Sequence, residues 1–500
     1  MKHCRVGIVI PTTREKGGVR MWTMVKLAAC AAALTASVLT TSAQTGTVPV
    51  ATGQGSAPAP SLPTGSEPAV DVQPGERAAD APQRVSQTAV PATIAFIHNK
   101  HLWILDASKA DAVPVQVTTQ GEAEIAGWSA DGKWLLYLLY EKEARSSSSP
   151  AYLWAVKADG TGAFQVDVRP VLEHPKWSPV SRTFAYLVAA SGADEDRKKL
   201  LVVAEMAGEK AGVVSTQTME LADFAWMPDG KRLLVSVPVA SDRPMTLRLI
   251  DLAGNQLAVY PLTEQSNVDE DIYPLEATGL KVAPDGKRVA YYVWMNAASL
   301  SNDGVPIQIL DLTRSGSKPV DIGSGLAYPQ WLAWSPDSSL LAFIDGEDRM
   351  ATHNKRVMIA DANGRVIPAG QPDKVDAQPT WTAASPYTLY FTRGVETYFE
   401  DDPENPKVPG QRIWRRSADG SQQAVTQGTD KTADIFPTLS PDGNALLFVR
   451  LDAAEHGSLY LKTGSEREVE LLRHVTGSVG FYGNHLPAWI SVFWKEQKPH

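Results

Sequence analysis

The chain has 500 residues, of which 43% are apolar and 21% charged, and it carries a formal net charge of −9. This composition is typical of a globular protein, and the length suffices for two or three domains or for one large repeat domain. The negative charge and the lack of a long basic run argue against nucleic acid or an anionic membrane as a partner, because both bind clustered lysine and arginine.

Residues 1–43 have the pattern of an export signal. Lys26 precedes an alanine-rich apolar run that ends at Leu39, and small residues follow up to Ala43. A charged segment, an apolar segment and a small-residue cleavage site in this order are typical of a secretory signal peptide. Met21 and Met24 are alternative start sites. We therefore expect an exported protein, periplasmic or extracellular.

Both cysteines, Cys4 and Cys30, lie in this first segment. A mature chain without them has no disulfide, thiolate metal site or cysteine nucleophile. The sequence ending at Cys30 resembles a lipoprotein box, but Lys26 directly before it and the long apolar run after it disfavour lipid anchoring. No other stretch has 18 consecutive apolar residues, so we expect no membrane span in the mature chain.

Residues 44–91 are rich in Pro, Ala, Gly and Thr and poor in large apolar side chains. Such a segment cannot bury enough surface to offset its ordering entropy, so we expect a disordered linker. Residues 92–500 differ sharply, because short runs of β-forming residues alternate there with turn residues, the pattern of an all-β domain.

This all-β region repeats one unit. An anchor residue, usually Trp, is followed by a Ser-Pro-Asp-Gly type of turn and then by an apolar strand; the clearest copy is Trp226-Met227-Pro228-Asp229-Gly230. Proline presets φ for the turn, aspartate caps it, and glycine supplies a positive φ. Successive anchors lie 47 to 58 residues apart, and they are Trp128, Trp177, Trp226, Val282, Trp334, Trp381, Leu439 and Trp489.

Each repeat has room for four antiparallel strands, which make one blade of a β-propeller. Residues 94–118 match the second, third and fourth strands of a blade without its first strand, and residues 485–489 match the missing strand. We therefore predict eight blades, closed by pairing of the N- and C-terminal strands, which also removes exposed sheet edges. Seven blades are the alternative, although each would then need about 59 residues.

The Trp-Ser-Pro-Asp-Gly-Lys type of turn, followed by strands such as Leu341-Ala342-Phe343, resembles the TolB-like (PD40-type, WD40-like) propeller repeat. The resemblance covers residues 91–500 and implies the propeller fold. TolB itself has an α/β domain and six blades, so its partnership with a peptidoglycan-associated lipoprotein is not implied. The repeat also resembles propellers of prolyl-oligopeptidase and dipeptidyl-peptidase enzymes, but we find no segment that matches their hydrolase domain.

No known catalytic or cofactor motif appears. The sequence has no Gly-x-Ser-x-Gly elbow, no His-Glu-x-x-His, no phosphate-binding loop and no EF-hand. We therefore predict no catalytic residue, cofactor or metal ligand. The repeated Asp-Gly pairs fit turns better than calcium loops, and the Trp anchors fit a core role better than ligand stacking.

The rim of the central channel is the expected functional surface, because residues just before each anchor would lie there. A metal or general-base role would need His174, His485 and a carboxylate to converge; polar residues that only wet the channel are the structural alternative. The rim candidates are Glu173, His174, Asp223, Tyr273, Tyr328, Asp376, Asp434 and His485.

Two long inserts interrupt the regular blades, and inserts into a rigid scaffold commonly bind ligands. Gly346–Lys355 is mildly basic and contains His353. Residues 396–410 combine aromatic and acidic side chains, namely Tyr398, Phe399, Glu400, Asp401 and Asp402.

The sequence thus favours an exported, non-catalytic propeller, expected to be a monomer, that binds a protein or a cell-envelope ligand through its channel rim and inserts. Two alternatives remain. One is a propeller enzyme, such as a lyase, lactonase or hydrolase, with a His/carboxylate site in the channel; the other is a surface sugar-binding module, which would expose aromatic side chains on one rim.

Overall fold

The structure is a computed structural model that describes residues 81–495 apart from 142–148, 191–197, 399–407, 409 and 481. The signal-peptide segment and most of the linker lie outside these residues. The described chain forms eight antiparallel sheets that make the blades of one ring. The predicted eight-bladed β-propeller is confirmed, and the seven-bladed alternative is wrong.

The strands of the first half of the chain are β1 (Gln83–Arg84), β2 (Ala92–His98), β3 (His101–Asp106), β4 (Val115–Gln116), β5 (Glu122–Trp128), β6 (Trp134–Tyr140), β7 (Ala151–Lys157), β8 (Phe164–Gln165), β9 (Lys176–Trp177), β10 (Thr183–Ala189), β11 (Lys199–Ala207), β12 (Lys210–Met219), β13 (Phe224–Trp226), β14 (Arg232–Val237), β15 (Thr246–Asp251) and β16 (Gln256–Pro261).

The second half contains β17 (Pro274–Val282), β18 (Arg288–Met295), α1 (Ala298–Asp303), β19 (Val305–Asp311), β20 (Val320–Gly325), a 3-10 turn (Pro329–Trp331), β21 (Leu332–Trp334), β22 (Leu340–Asp345), β23 (Arg356–Asp361), β24 (Val366–Pro368), β25 (Lys374–Trp381), β26 (Leu389–Val395), β27 (Arg412–Arg416), β28 (Gln422–Ala424), β29 (Ala433–Leu439), β30 (Ala445–Ala453), β31 (His456–Thr463), β32 (Val469–Thr476) and β33 (Ile490–Trp494). No described helix could cross a membrane.

Blade 1 combines β33 with β2, β3 and β4, and blades 2 to 8 take the following strands four at a time from β5 to β32. Because neighbouring strands are antiparallel, two kinds of connection lie on each side of the ring. The turn face carries the first-to-second and third-to-fourth connections of each blade. The loop face carries the second-to-third connections and the links to the next blade, including the long segments 296–304 and 346–355 and the described residues of 396–411.

The ring closes as predicted, but with a different strand. Five pairs join β33 to β2, from Ile490↔Phe96 to Trp494↔Ala92. Residues 485–489, the predicted closing strand, lie just before it. Pro487 has no N–H to donate to a ladder, whereas β33 is rich in β-branched and aromatic residues. Trp489 is therefore no strand anchor; it is buried, and its indole N–H donates to Ser478 O at 2.9 Å.

The other Trp anchors join adjacent blades. The indole N–H of Trp226 donates to Lys176 O in the preceding blade at 2.8 Å, and that of Trp334 donates to Lys281 O at 2.9 Å. Trp128, Trp177 and Trp381 make the equivalent bond. Apolar clusters fill the space between blades, as where Leu136 of blade 2 packs in one cluster with Phe184 of blade 3. The predicted core role of the anchors is confirmed.

The described residues before residue 92 include a strand, inside the segment that its composition assigns to the linker. β1 pairs with β32 as a fifth strand of blade 8, with Gln83 opposite Arg473. The guanidinium of Arg84 donates to the carbonyls of Lys109 and Thr88, at 2.5 and 3.0 Å. These contacts cover the outer edge of blade 8.

Candidate functional site

The reactive and strained residues concentrate on the loop face. All seven histidines of the described chain lie in or beside its connections: His98, His101, His174, His353, His456, His474 and His485. Ten described residues other than glycine have a positive φ. Only one of them, Ser338, lies in a turn of the turn face. The equivalent turn position in other blades is a glycine, as at Gly230. Backbone strain clusters where function requires it, so the loop face is the candidate functional surface.

A cleft of about 1420 Å³ opens on this face between blades 8, 1 and 2. Glutamates dominate its charged lining: Glu122, Glu124 and Glu141 come from blade 2, and Glu455 lies opposite on blade 8. Among the described lining residues, Lys100 is the one lysine. Within the described residues, the carboxylates of Glu122, Glu141 and Glu455 form no ion pair, and the described charged side chains of the lining are mainly acidic.

Glu124 and His174 form a dyad at this cleft. Glu124, on β5, is only 2% exposed, and one of its oxygens contacts His174 Nε2 of the next blade. Tyr140 OH donates to the other oxygen at 3.1 Å. The imidazole is 49% exposed, so a buried carboxylate holds a histidine whose other edge faces water. A metal or general-base role was expected to need His174, His485 and a carboxylate together; His174 meets a carboxylate here, and His485 takes no part in the contact.

Asp223 lies deeper in the channel wall than predicted. Its carboxylate is 8% exposed; it accepts hydrogen bonds from Lys176 Nζ at 2.5 Å and from Leu280 N at 3.0 Å. It therefore links blades 3, 4 and 5. Glu173 and Glu276 lie near it, and burial among the surrounding protein raises the pKa of both carboxyls above the ordinary value, although 49% of the Glu173 side chain is exposed to channel water.

Asp376 and Asp434 are not rim residues, contrary to the prediction. Arg393 Nε and Nη2 donate to the two oxygens of Asp376 at 2.6 and 2.9 Å, and both side chains are buried. Asp434 pairs with Arg450 in the same way at 2.7 Å. Each pair joins the first strand of a blade to the second. The arginines stand opposite the aspartates only through the strand register, which the sequence near each aspartate does not show.

His485 and Tyr328 lie on the channel wall but are largely enclosed. His485 is 5% exposed, its φ is +54°, and burial lowers the pKa of its imidazole to about 4. Its Nε2 atom has no hydrogen-bond partner in the described structure. Tyr328 packs edge-on against Trp331, with 4.9 Å between ring centroids. Asn484, next to His485, hydrogen-bonds the Tyr328 hydroxyl.

The two predicted inserts meet on the loop face. The ring of His353 packs on Tyr398 at 4.3 Å, and Asn354 N donates to Glu396 Oε1 at 3.0 Å. Lys355 is fully buried, and its ammonium donates to three backbone carbonyls of its own insert; burial lowers its pKa to about 8. Phe399, Glu400, Asp401 and Asp402 lie outside the described residues.

Two kinds of site are missing from the described residues. They contain no group of three His, Cys, Asp or Glu side chains that could hold a metal ion. Tyr398, at 53%, is their one strongly exposed aromatic side chain, so the described part of the loop face lacks the row of aromatics that a sugar-binding rim would show.

Several solved structures resemble this chain in fold. The β-propeller domain of the trilobed protease from Pyrococcus furiosus is 11% identical, with 71% of this chain and 99% of that chain covered and a TM-score of 0.40. Prolyl oligopeptidase B from Galerina marginata is 14% identical, with 71% and 51% covered and a TM-score of 0.44. A putative TolB from Agrobacterium tumefaciens is 18% identical, with 57% and 92% covered and a TM-score of 0.30.

The first of these structures is described as a β-propeller domain. At such identities and scores the three structures say nothing about the activity or partners of this chain. No protein-family model matches it, and no curated protein matches it in sequence.

Proposed function

We propose that this protein is an exported, non-catalytic propeller that binds a protein or cell-envelope ligand through its loop face. The observation that carries the proposal is the glutamate-lined cleft of about 1420 Å³ between blades 8, 1 and 2. Three of its carboxylates, those of Glu122, Glu141 and Glu455, form no ion pair within the described residues, and they favour a ligand segment that carries lysine, arginine or another cation. The regular strands behind the cleft hold these side chains on a rigid support.

Charge reversal tests this binding role. A triple variant with Glu122→Lys, Glu141→Lys and Glu455→Lys should lose capture of its ligand from a cell-envelope extract. A matched triple variant on the turn face, with Asp159→Lys, Glu209→Lys and Glu466→Lys, should capture it like the wild type. Equal capture by both variants would refute a role for the cleft, as would turnover of a peptide or glycan by the purified wild type without stable binding.

Export is the second element of the proposal, and it is supported by the charged, apolar and small-residue order of residues 1–43. We expect cleavage after Ala43 and no lipid on Cys30. Mass spectrometry of the N-terminus of protein recovered from periplasm or medium checks both. A full-length chain confined to the cytoplasm would contradict export.

A channel enzyme remains the second candidate, because Glu124, which lines the cleft, holds the half-exposed imidazole of His174 in a fixed orientation. In such an enzyme His174 would act as general base on water, and buried Glu124 would stabilise the imidazolium formed. A general base contributes about 10²–10⁴-fold in rate. Any hydrolysis of an ester, lactone or peptide panel by the wild type should therefore fall by that factor in His174→Ala. Unchanged turnover in His174→Ala would exclude the dyad as its source.

A further inference from the structure

A second group of histidines lies on the loop face, apart from the Glu124–His174 dyad. His456 begins β31 and His474 lies near the end of β32, so both come from blade 8. His456 Nε2 is 3.3 Å from His474 Nδ1, and the ring centroids are 5.5 Å apart. His456 also lines the glutamate-rich cleft.

The distance between these nitrogens fits two ligands of one metal ion. A protein hydrogen bond from an N–H group is usually about 2.7–3.2 Å long. Two imidazole nitrogens, each about 2.0–2.1 Å from a tetrahedral ion, lie about 3.4 Å apart. The observed 3.3 Å lies at the long end of hydrogen-bond distances and also matches the separation that a shared metal requires.

Asp452 supplies the supporting contact that metal-bound histidines commonly have. Its Oδ1 atom is 2.8 Å from His456 Nδ1. An ionised carboxylate accepts a hydrogen bond there, so Nδ1 of His456 carries the hydrogen and the lone pair of Nε2 points toward His474. A carboxylate behind a histidine ligand fixes its tautomer and orientation and raises its basicity.

His474 has a strained backbone conformation. Its φ is +63°, in the left-handed region that residues other than glycine rarely adopt. The pairing of β31 with β32 is irregular, and His456 stands opposite Thr476. Strain of this kind persists only where the surrounding structure enforces it, and it commonly marks functional sites.

We propose that His456 and His474 form a two-histidine site for a borderline divalent transition metal, such as Cu²⁺ or Zn²⁺. Imidazole nitrogens suit these ions. The described residues contain no group of three metal-ligating side chains, so the described part of the site supplies two imidazole ligands. The proposal does not depend on the binding function of the cleft.

The test is a titration of tag-free protein that lacks residues 1–43, the form expected after export, with Cu²⁺ at pH 7.5, followed by calorimetry and by electron paramagnetic resonance. The wild type should bind one ion with hyperfine coupling to two imidazole nitrogens. His456→Ala and His474→Asn should each lose one coupled nitrogen and more than about tenfold in affinity, and Asp452→Ala about tenfold. Asparagine tolerates the left-handed backbone at position 474.

His353→Ala is the matched control, because His353 also contacts an aspartate, Asp348 at 3.1 Å, but packs against Tyr398 and not against a second imidazole. It should bind Cu²⁺ like the wild type. Circular dichroism melts confirm that each variant is folded. Wild-type affinity no higher than that of His456→Ala, or an equal loss in His353→Ala, would overturn the proposal and leave the pair as a hydrogen bond only.

Discussion

Asp376 and Arg393 show what single residues contribute to this fold. Arg393 is 1% exposed; besides its two bonds to Asp376, it lies 4.7 Å from the ring centroid of Phe391. Removing one partner of a buried pair leaves an uncompensated charge and costs about 3–5 kcal/mol. We therefore expect Asp376→Ala to lower the free energy of unfolding by that amount in urea titrations.

The control for this prediction is Glu264→Ala, which removes the partner of Lys318 in an exposed ion pair. Its urea transition should coincide with that of the wild type. A similar small effect in Asp376→Ala would mean that Asp376 does not support the blade and could serve the channel rim instead.

His485 gives a prediction about pH. Its buried imidazole has a pKa of about 4, against 6.5 for the ordinary side chain. Between these values the unfolded chain binds a proton that the folded chain does not, so stability falls as pH drops from 6.5 to 4, by about 3 kcal/mol. In His485→Asn, which suits the positive φ, this part of the pH dependence should disappear. Parallel stability–pH curves for the two proteins would contradict the burial.

The candidate residues also show where sequence reasoning stops. The position of His174, Tyr328 and the two inserts between strands follows from the repeat, and their described residues lie on the loop face. Sequence reasoning could not show that Asp376 is neutralised by Arg393, since that contact depends on strand register. The His456–His474 pair was missed for a related reason: neither residue precedes an anchor, and only the irregular pairing of β31 with β32 brings them together.

At the level of elements, the Pro-Asp-Gly turns were predicted most completely, because their geometry is local. Gly230 has φ +65°, and a Cβ atom there would lie 2.4 Å from Val180 Cγ2 of the neighbouring blade. Gly230→Ala should therefore cost about 2–4 kcal/mol, from backbone strain plus overpacking. Thermal and urea unfolding measure this cost.

Gly208 is the control for this turn, because its φ is +66° and no atom lies within 4 Å of the position that an alanine methyl group would take. Gly208→Ala should cost only the backbone strain, about 1–2 kcal/mol. Equal costs at the two positions would show that the turn of one blade does not pack against the next.

At the level of the whole molecule, the repeat count predicted ring closure, but the closing strand was off by one segment. β2 is buried along its whole length, and β33 covers one of its edges. A chain that ends at Trp489 should therefore unfold at a much lower temperature and aggregate, whereas a chain that ends at Lys495 should melt like the full chain. A normal melt of the shorter chain would contradict closure by β33.

The central claim is that the loop face binds the ligand and the turn face does not. The most direct measurement places a photo-crosslinking amino acid at Glu141, in the cleft, or at Glu209, on the turn face, in the exported protein within intact cells. Irradiation should yield a discrete crosslinked species from position 141 and none from position 209. Crosslinks from position 209 alone, or from both positions equally, would contradict the claim.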